Sequence, residues 1–290
     1  MSQDKQAVLY GLGAVALWST VATAFKVALA WMSPLELMWL AVFVSWALMG
    51  ALVIKQGNMS KALRSGWKTA AWAGLMNPVA YYLVLFAAYD RLPGQEAMAL
   101  NYTWALAMAF LAVPLLGQRL TRIDIVAGFV AYAGVWVIAT RGSVFNVSFA
   151  DPLGVVLALA STLLWALYWL LNARDKRQPL VGQWQNFSVG LPVLTVLLLL
   201  GPGVQWHGWP AFGAGVYVGL FEMGVAFILW QLAVHQVSRT AKVSNLIFLS
   251  PPVSLFLLYL VVGEPILPST LVGLVLILLG LGLQQAQKSS

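Results

Sequence analysis

Leu75 to Leu120 reads LMNPVAYYLVLFAAYDRLPGQEAMALNYTWALAMAFLAVPLLGQRL. Two apolar runs flank one short polar turn, Asp90-Arg91-Leu92-Pro93-Gly94, which predicts a helical hairpin. Each run is long enough to cross a bilayer, yet each carries amides and aromatics: Asn77, Tyr81 and Tyr82 in the first, Asn101, Tyr102 and Trp104 in the second. An unpaired amide in hydrocarbon is costly, so such groups turn toward the protein interior. Asn77 and Tyr81 are four apart and share one helix face, and Asn101, Trp104 and Met108 trace another. The hairpin therefore presents the lining of a site or a polar packing seam.

Composition extends this reading to the whole chain. Of 290 residues, 61% are hydrophobic and 9% charged, with a mean hydropathy of +0.84. Soluble domains carry about 25% charged residues, so this is an integral membrane protein. With no Cys and two His, disulfides, thiolate metal sites and multi-His metal sites are excluded, and no cofactor is expected.

Apolar windows of about 20 residues predict ten spans, near 7–29, 34–54, 69–89, 96–117, 122–140, 153–172, 180–200, 211–234, 241–262 and 268–285. Ala28-Leu29-Ala30 has the form of a signal-peptidase site, but the apolar stretch before it is long for a signal core, and it is read as a retained first helix. With the N-terminus in the cytoplasm, Lys5, Lys55, Lys61, Arg64, Lys68, Arg119, Arg122, Arg174, Lys176, Arg177, Arg239, Lys242 and Lys288 fall inside. Lys26, Arg91 and Arg141 fall outside. This bias places both termini in the cytoplasm, and it accounts for the net charge of +7 without any nucleic-acid surface.

A weak internal repeat accompanies the even span count. Gly74-Leu75 and Gly219-Leu220 stand 145 residues apart, Gly117-Gln118 and Gly263-Glu264 stand 146 apart, and Gly134 and Gly280 share the latter spacing. Trp18 and Trp165 occupy matching mid-span positions. Ten spans divide into residues 1–142 and 143–290, five helices each, and an odd number per repeat inverts one half relative to the other. The expected fold is thus all-α, two inverted five-helix repeats around a central cavity.

At mid-depth the spans offer Trp18, Asn77, Tyr81, Tyr82, Asn101, Tyr102, Trp104, Trp165, Glu222 and Asn245. Aromatic walls with a few placed polar groups are the composition of a small-molecule pocket, although Trp and Tyr are also frequent in membrane proteins generally, chiefly at the interfaces. Glu222 is the one acidic residue deep in a span. It either takes part in binding or proton relay, or bridges helices as a neutral group. Pro78 and the pair Pro251-Pro252 interrupt helices at the same depth and suit bends that move during gating, or static kinks. Gln183-Trp184-Gln185-Asn186 is a polar cluster at the inner end of the seventh span. Lys26 is expected to reach the outer interface, and Glu264 to sit there.

These features favour a solute transporter over a channel, since no repeated charge ring or filter is visible. An intramembrane enzyme is disfavoured, because His207 and His235 lie at opposite surfaces, away from the mid-depth groups.

Leu17-Trp18-Ser19-Thr20, the Gly263-Glu264-Pro265 turn and Gly273 in the last helix resemble the drug/metabolite transporter superfamily of the ten-helix EamA type. Gln118 stands where the first half of that pattern usually has Glu. Leu100-Asn101-Tyr102-Thr103-Trp104 resembles the family's aromatic amino-acid exporters more narrowly. The resemblance implies a bacterial inner-membrane exporter of aromatic and other neutral amino acids. Its cavity would be formed by helices one, three, four, six, eight and nine, the bilayer and an amino-acid substrate would be its partners, and a single chain would suffice.

Overall fold

The computed structural model describes residues 3–117, 122–145, 151–172, 175–201, 203, 205–236 and 245–288, and among them every regular element is helical. Gln118, Arg119, Arg174, Arg239 and Lys242 lie outside the described residues. Among the described residues, seven helices are long and apolar enough to cross a membrane: Lys5–Leu29, Pro34–Lys55, Trp67–Arg91, Gly94–Leu115, Pro152–Asn172, Pro179–Leu200 and Trp209–Ala233. Three shorter apolar helices, Ile125–Ala139, Ser250–Val262 and Pro268–Leu283, accompany them.

Local chemistry sets where these rods begin and break. Helix α1 (Gln3–Leu29) ends before Ser33, which opens α2 (Pro34–Lys55). There the Glu36 amide donates to the Ser33 hydroxyl at 3.3 Å, the Ser33 amide donates to the Glu36 carboxylate at 2.9 Å, and Pro34 fills a first-turn position that needs no N–H. The short α3 (Met59–Arg64) leads to Gly66, whose φ of +93° turns the chain into α4 (Trp67–Gly74).

The third rod changes register midway. Asn77 is extended (φ −141°, ψ 112°) and Pro78 has no N–H, so a wide turn over Leu75–Ala80 separates α4 from α5 (Tyr81–Arg91). The fourth rod breaks between α6 (Gly94–Asn101) and α7 (Trp104–Leu116). Beyond it come α8 (Arg122–Ala139), α9 (Pro152–Asn172) and α10 (Pro179–Leu200). A second wide turn, Val218–Val225, joins α11 (Trp209–Tyr217) to α12 (Ala226–Gln236). A 3-10 turn, Asn245–Leu249, precedes α13 (Ser250–Leu257), and α14 (Pro268–Lys288) follows.

Packing pairs distant parts of the chain. The largest interface joins α8 to α14; α1 packs on α12 and α13, α9 on α5 and α7, and α2 on α10. Two close approaches recur. A Cβ on Gly74 would collide with the Asn186 carbonyl and press on Val189, while one on Gly219 would stand 2.6 Å from the Ala41 carbonyl and press on Val44. Likewise the Gly134 and Gly273 backbones touch across α8 and α14, and a Cβ on Gly280 would stand 2.6 Å from the Ala127 carbonyl. Small residues let membrane helices approach this closely.

An apolar core is joined by large apolar side chains on the outside and by several buried polar groups. Phe129, Leu199, Leu200 and Tyr259 face outward, while Asn77, Ser161, Gln185, Asn186 and Glu222 are buried.

Candidate functional site

The mid-depth aromatics come together. Tyr81 stacks on Trp165 with ring centroids 4.4 Å apart, and Tyr82 meets Tyr81 edge-on at 4.7 Å. Phe227 lies between the first-half and second-half tryptophans, 6.0 Å from Trp18 and 5.9 Å from Trp165, both nearly perpendicular. Trp230 extends the group beside Trp18 at 5.2 Å, and Tyr168 and Trp169 extend it beside Trp165. The offset and edge-on geometries are those favoured by aromatic quadrupoles. Helices α1, α5, α9 and α12 are thereby joined through rings.

Polar groups border the rings. Tyr82 donates a hydrogen bond to the Glu222 carboxylate at 3.1 Å, while the second Glu222 oxygen has no partner. Asn77, fully buried in the wide turn of the third rod, closes no hydrogen bond with either amide atom, and the Tyr168 hydroxyl stands within electrostatic reach. Asn77 and Glu222 are 145 residues apart, and each lies within its rod's wide turn. Asn101 donates to the Ser161 hydroxyl at 3.0 Å, tying the break of the fourth rod to α9. The Tyr102 hydroxyl faces Ser250 of α13, and Trp104 packs half-buried against the core.

Of the residues expected at mid-depth, Trp18, Tyr81, Tyr82, Trp165 and Glu222 form this one cluster, and Asn77 and Asn101 adjoin it. Asn245 opens the 3-10 turn, and its side chain lies outside the described residues. Pro78 and Pro251 are buried at helix starts and Pro252 is exposed, so Pro252 faces away from the cluster's interior. A cavity of about 470 Å³ lies at the Lys61–Arg177 end.

Phe227, which bridges the two tryptophans, was missed by sequence reasoning because it stands in the uninterrupted apolar run Ala226-Phe227-Ile228-Leu229-Trp230. Two residues expected at the outer interface hold specific partners. The Lys26 ammonium donates to the Tyr89 and Leu92 carbonyls at 3.0 and 3.2 Å, satisfying the end of α5. The Glu264 carboxylate accepts from the Gly94 and Gln95 amides at 2.9 and 3.3 Å, capping α6 from across the chain.

Comparison with known proteins agrees with this architecture. The chain is 26% identical over 261 residues to the aromatic amino acid exporter YddG of Ancylobacter novellus, covering 89% of this chain and 88% of that one. It is 28% identical over 211 residues to a probable terminal-alkyne amino-acid exporter of Streptantibioticus cattleyicolor, covering 70% and 68%. A solved crystal structure superposes with a TM-score of 0.69 at 22% identity, over 97% of this chain and 96% of that one, and so shares its fold. The EamA-like transporter family matches residues 5–140 and 152–284, and the chain belongs to that family of multi-pass membrane transporters.

Proposed function

We propose that this transporter exports aromatic and other neutral amino acids across the bacterial inner membrane by alternating access. The observation that carries the reading is the aromatic cluster of Trp18, Tyr81, Trp165 and Phe227, bordered by Asn77, Asn101, Tyr82 and Glu222. Ring faces and edges suit an aromatic side chain, and the buried amides and carboxylate suit its polar end. Both relatives named above are described as amino-acid exporters. In this reading the rings separate to admit substrate, with Tyr102, Trp104 and Asn245 completing the wall and Pro78, Pro251 and Pro252 serving the bends.

The seven long and three shorter apolar helices then make ten spans in two inverted repeats, 1–142 and 143–290. The mirrored close approaches support this. Gly74 on Asn186 and Val189 becomes, 145 residues along, Gly219 on Ala41 and Val44. Gly134 on Gly273 becomes, 146 along, Gly280 on Ala127. The larger helix pairings are also preserved when each rod is exchanged with the one five places away. The distribution of Lys and Arg supports cytoplasmic termini, which a reporter fused after Ser290 tests by its sidedness.

Counterflow in proteoliposomes tests the function. Saturable exchange of labelled tryptophan or phenylalanine, competed by other neutral amino acids, is expected. Linear flux would point to a pore, and exchange of sugars or nucleotides alone would keep the transporter and change its substrate.

A further inference from the structure

The cavity at the Lys61–Arg177 end is built from the α2–α4 connection, the end of α9 and the start of α10. On one wall Arg177 grips Asp175, Nη2 at 2.7 Å and Nε at 2.9 Å from the same carboxylate oxygen. The rest of the guanidinium donates to Gln185 at 3.0 Å and Asn186 at 2.9 Å. Gln185 in turn donates to the Ala62 and Ser65 carbonyls, each at 2.6 Å. Trp72, Leu171 and Val181 supply apolar lining, and Lys61 and Lys176 border the cavity as well. Asn186 continues to the Tyr168 hydroxyl at 3.5 Å, and Tyr168 adjoins Trp165 of the aromatic cluster.

This polar arrangement is not a requirement of helix packing. Positions 145 residues earlier, where Ala41 receives Gly219 as Asn186 receives Gly74, carry Leu40 and Ala41 in place of Gln185 and Asn186. The same close approach is made there with apolar side chains. Of these two matching approaches, one carries the polar pair and the other does not.

We infer that this cavity is an entry site for an α-amino acid zwitterion, with Arg177 taking the substrate carboxylate and Asp175 its ammonium. An Arg–carboxylate fork is the pairing a substrate carboxylate would reproduce. Substrate inserts between the two: Arg177 exchanges one carboxylate for another, and Asp175 exchanges a guanidinium for an ammonium, so no charge is left unpaired. The side chain lies against Trp72, Leu171 and Val181. At about 470 Å³ the space falls within the ordinary range of small-molecule pockets, roughly 300–1,000 Å³. The Asn186–Tyr168 contact leads on to the aromatic cluster. The inference rests on the amino-acid exporter reading and adds to it the residues that first meet substrate.

The chain has no cysteine, so Thr69→Cys in the cavity wall gives one labelling site in the purified full-length protein. Phenylalanine is expected to slow maleimide labelling there. Phenylalaninamide, lacking the carboxylate, and 3-phenylpropionate, lacking the ammonium, are expected to protect poorly. In the Thr69→Cys background, Arg177→Gln should weaken phenylalanine protection by about tenfold or more, Arg177→Lys less so, and Asp175→Asn should let 3-phenylpropionate protect as well as phenylalanine. Equal protection by all three compounds in the parent, or undiminished phenylalanine protection in a folded Arg177→Gln protein, overturns the site. If Arg177→Gln does not fold, the Asp175→Asn selectivity decides. Absent protection beside robust phenylalanine counterflow removes this site alone, whereas absent counterflow of every amino acid removes the exporter reading beneath it.

Discussion

The Tyr82 hydroxyl donates to the Glu222 carboxylate at 3.1 Å, joining side chains 140 residues apart in the middle of the protein. Both are buried, and this is the bond that one Glu222 oxygen makes. A buried acceptor that loses its donor costs about 1–3 kcal/mol. Tyr82→Phe is therefore expected to lower stability by that amount, read from unfolding in detergent. Glu222→Gln should cost less, because its amide oxygen accepts the same bond.

The seam between α8 and α14 gives a test with an internal control. A Cβ on Gly280 would stand 2.6 Å from the Ala127 carbonyl and 2.8 Å from the Ala131 side chain, whereas one on Gly282 would meet nothing within 4 Å. Gly280→Ala should destabilise by about 1–3 kcal/mol through overpacking. Gly282→Ala, two residues on, should be neutral or stabilise by about 0.5–1 kcal/mol through helix propensity. Thermal unfolding of the two variants side by side distinguishes a packed seam from a loose one.

Hydropathy and proline made the rods legible. Span edges near 34–54, 153–172 and 180–200 agree with α2, α9 and α10 within one or two residues, because each depends on local chemistry such as the Ser33 cap. Pro78 likewise announces the break at Asn77. Depth along a rod was also readable, which is why Trp18, Tyr81 and Trp165 could be grouped. Rotation about the rod axis was not. Nothing local says that Phe227 faces both tryptophans, or that Lys26 turns back to the carbonyls of Leu92 and Tyr89. Those outcomes depend on partners at least 60 residues away in the chain. The polar run at Gln185-Asn186 was visible, but its link to Arg177 required the turn between α9 and α10.

Glu264 caps α6 across the chain, on amides that no side chain of its own segment satisfies. Gln95 strengthens the joint, donating to the Pro265 carbonyl at 2.6 Å. Glu264→Gln keeps an acceptor and loses the charge that favours a helix N-terminus; Glu264→Ala loses both. Expected losses are about 0.3–1 kcal/mol for the first and about 1–2 kcal/mol for the second. Equal stability of Glu264→Ala and the parent in detergent unfolding would mean that water replaces the carboxylate at no cost.

Asp175 gives a prediction in pH. Burial alone would push its carboxyl up, but the hydrogen bonds and charge of Arg177 outweigh that and hold it below the usual carboxylate range. A carboxyl whose pKa is depressed by folding contributes stability that is fully present above its unfolded pKa, about 3.9, and is lost as pH falls through the lower folded value. The contribution is thus constant from neutral pH down to about 4 and fades below it. Asp175→Asn removes the titrating group while leaving an oxygen for Arg177. Because other carboxylates also titrate in acid, the informative quantity is the stability of the parent minus that of Asp175→Asn, measured by unfolding in detergent from pH 7 downward. That difference should favour the parent by a constant amount above about pH 4 and shrink below it. A difference growing toward acid would mean that Asp175 is held protonated by burial, with Arg177 engaged elsewhere.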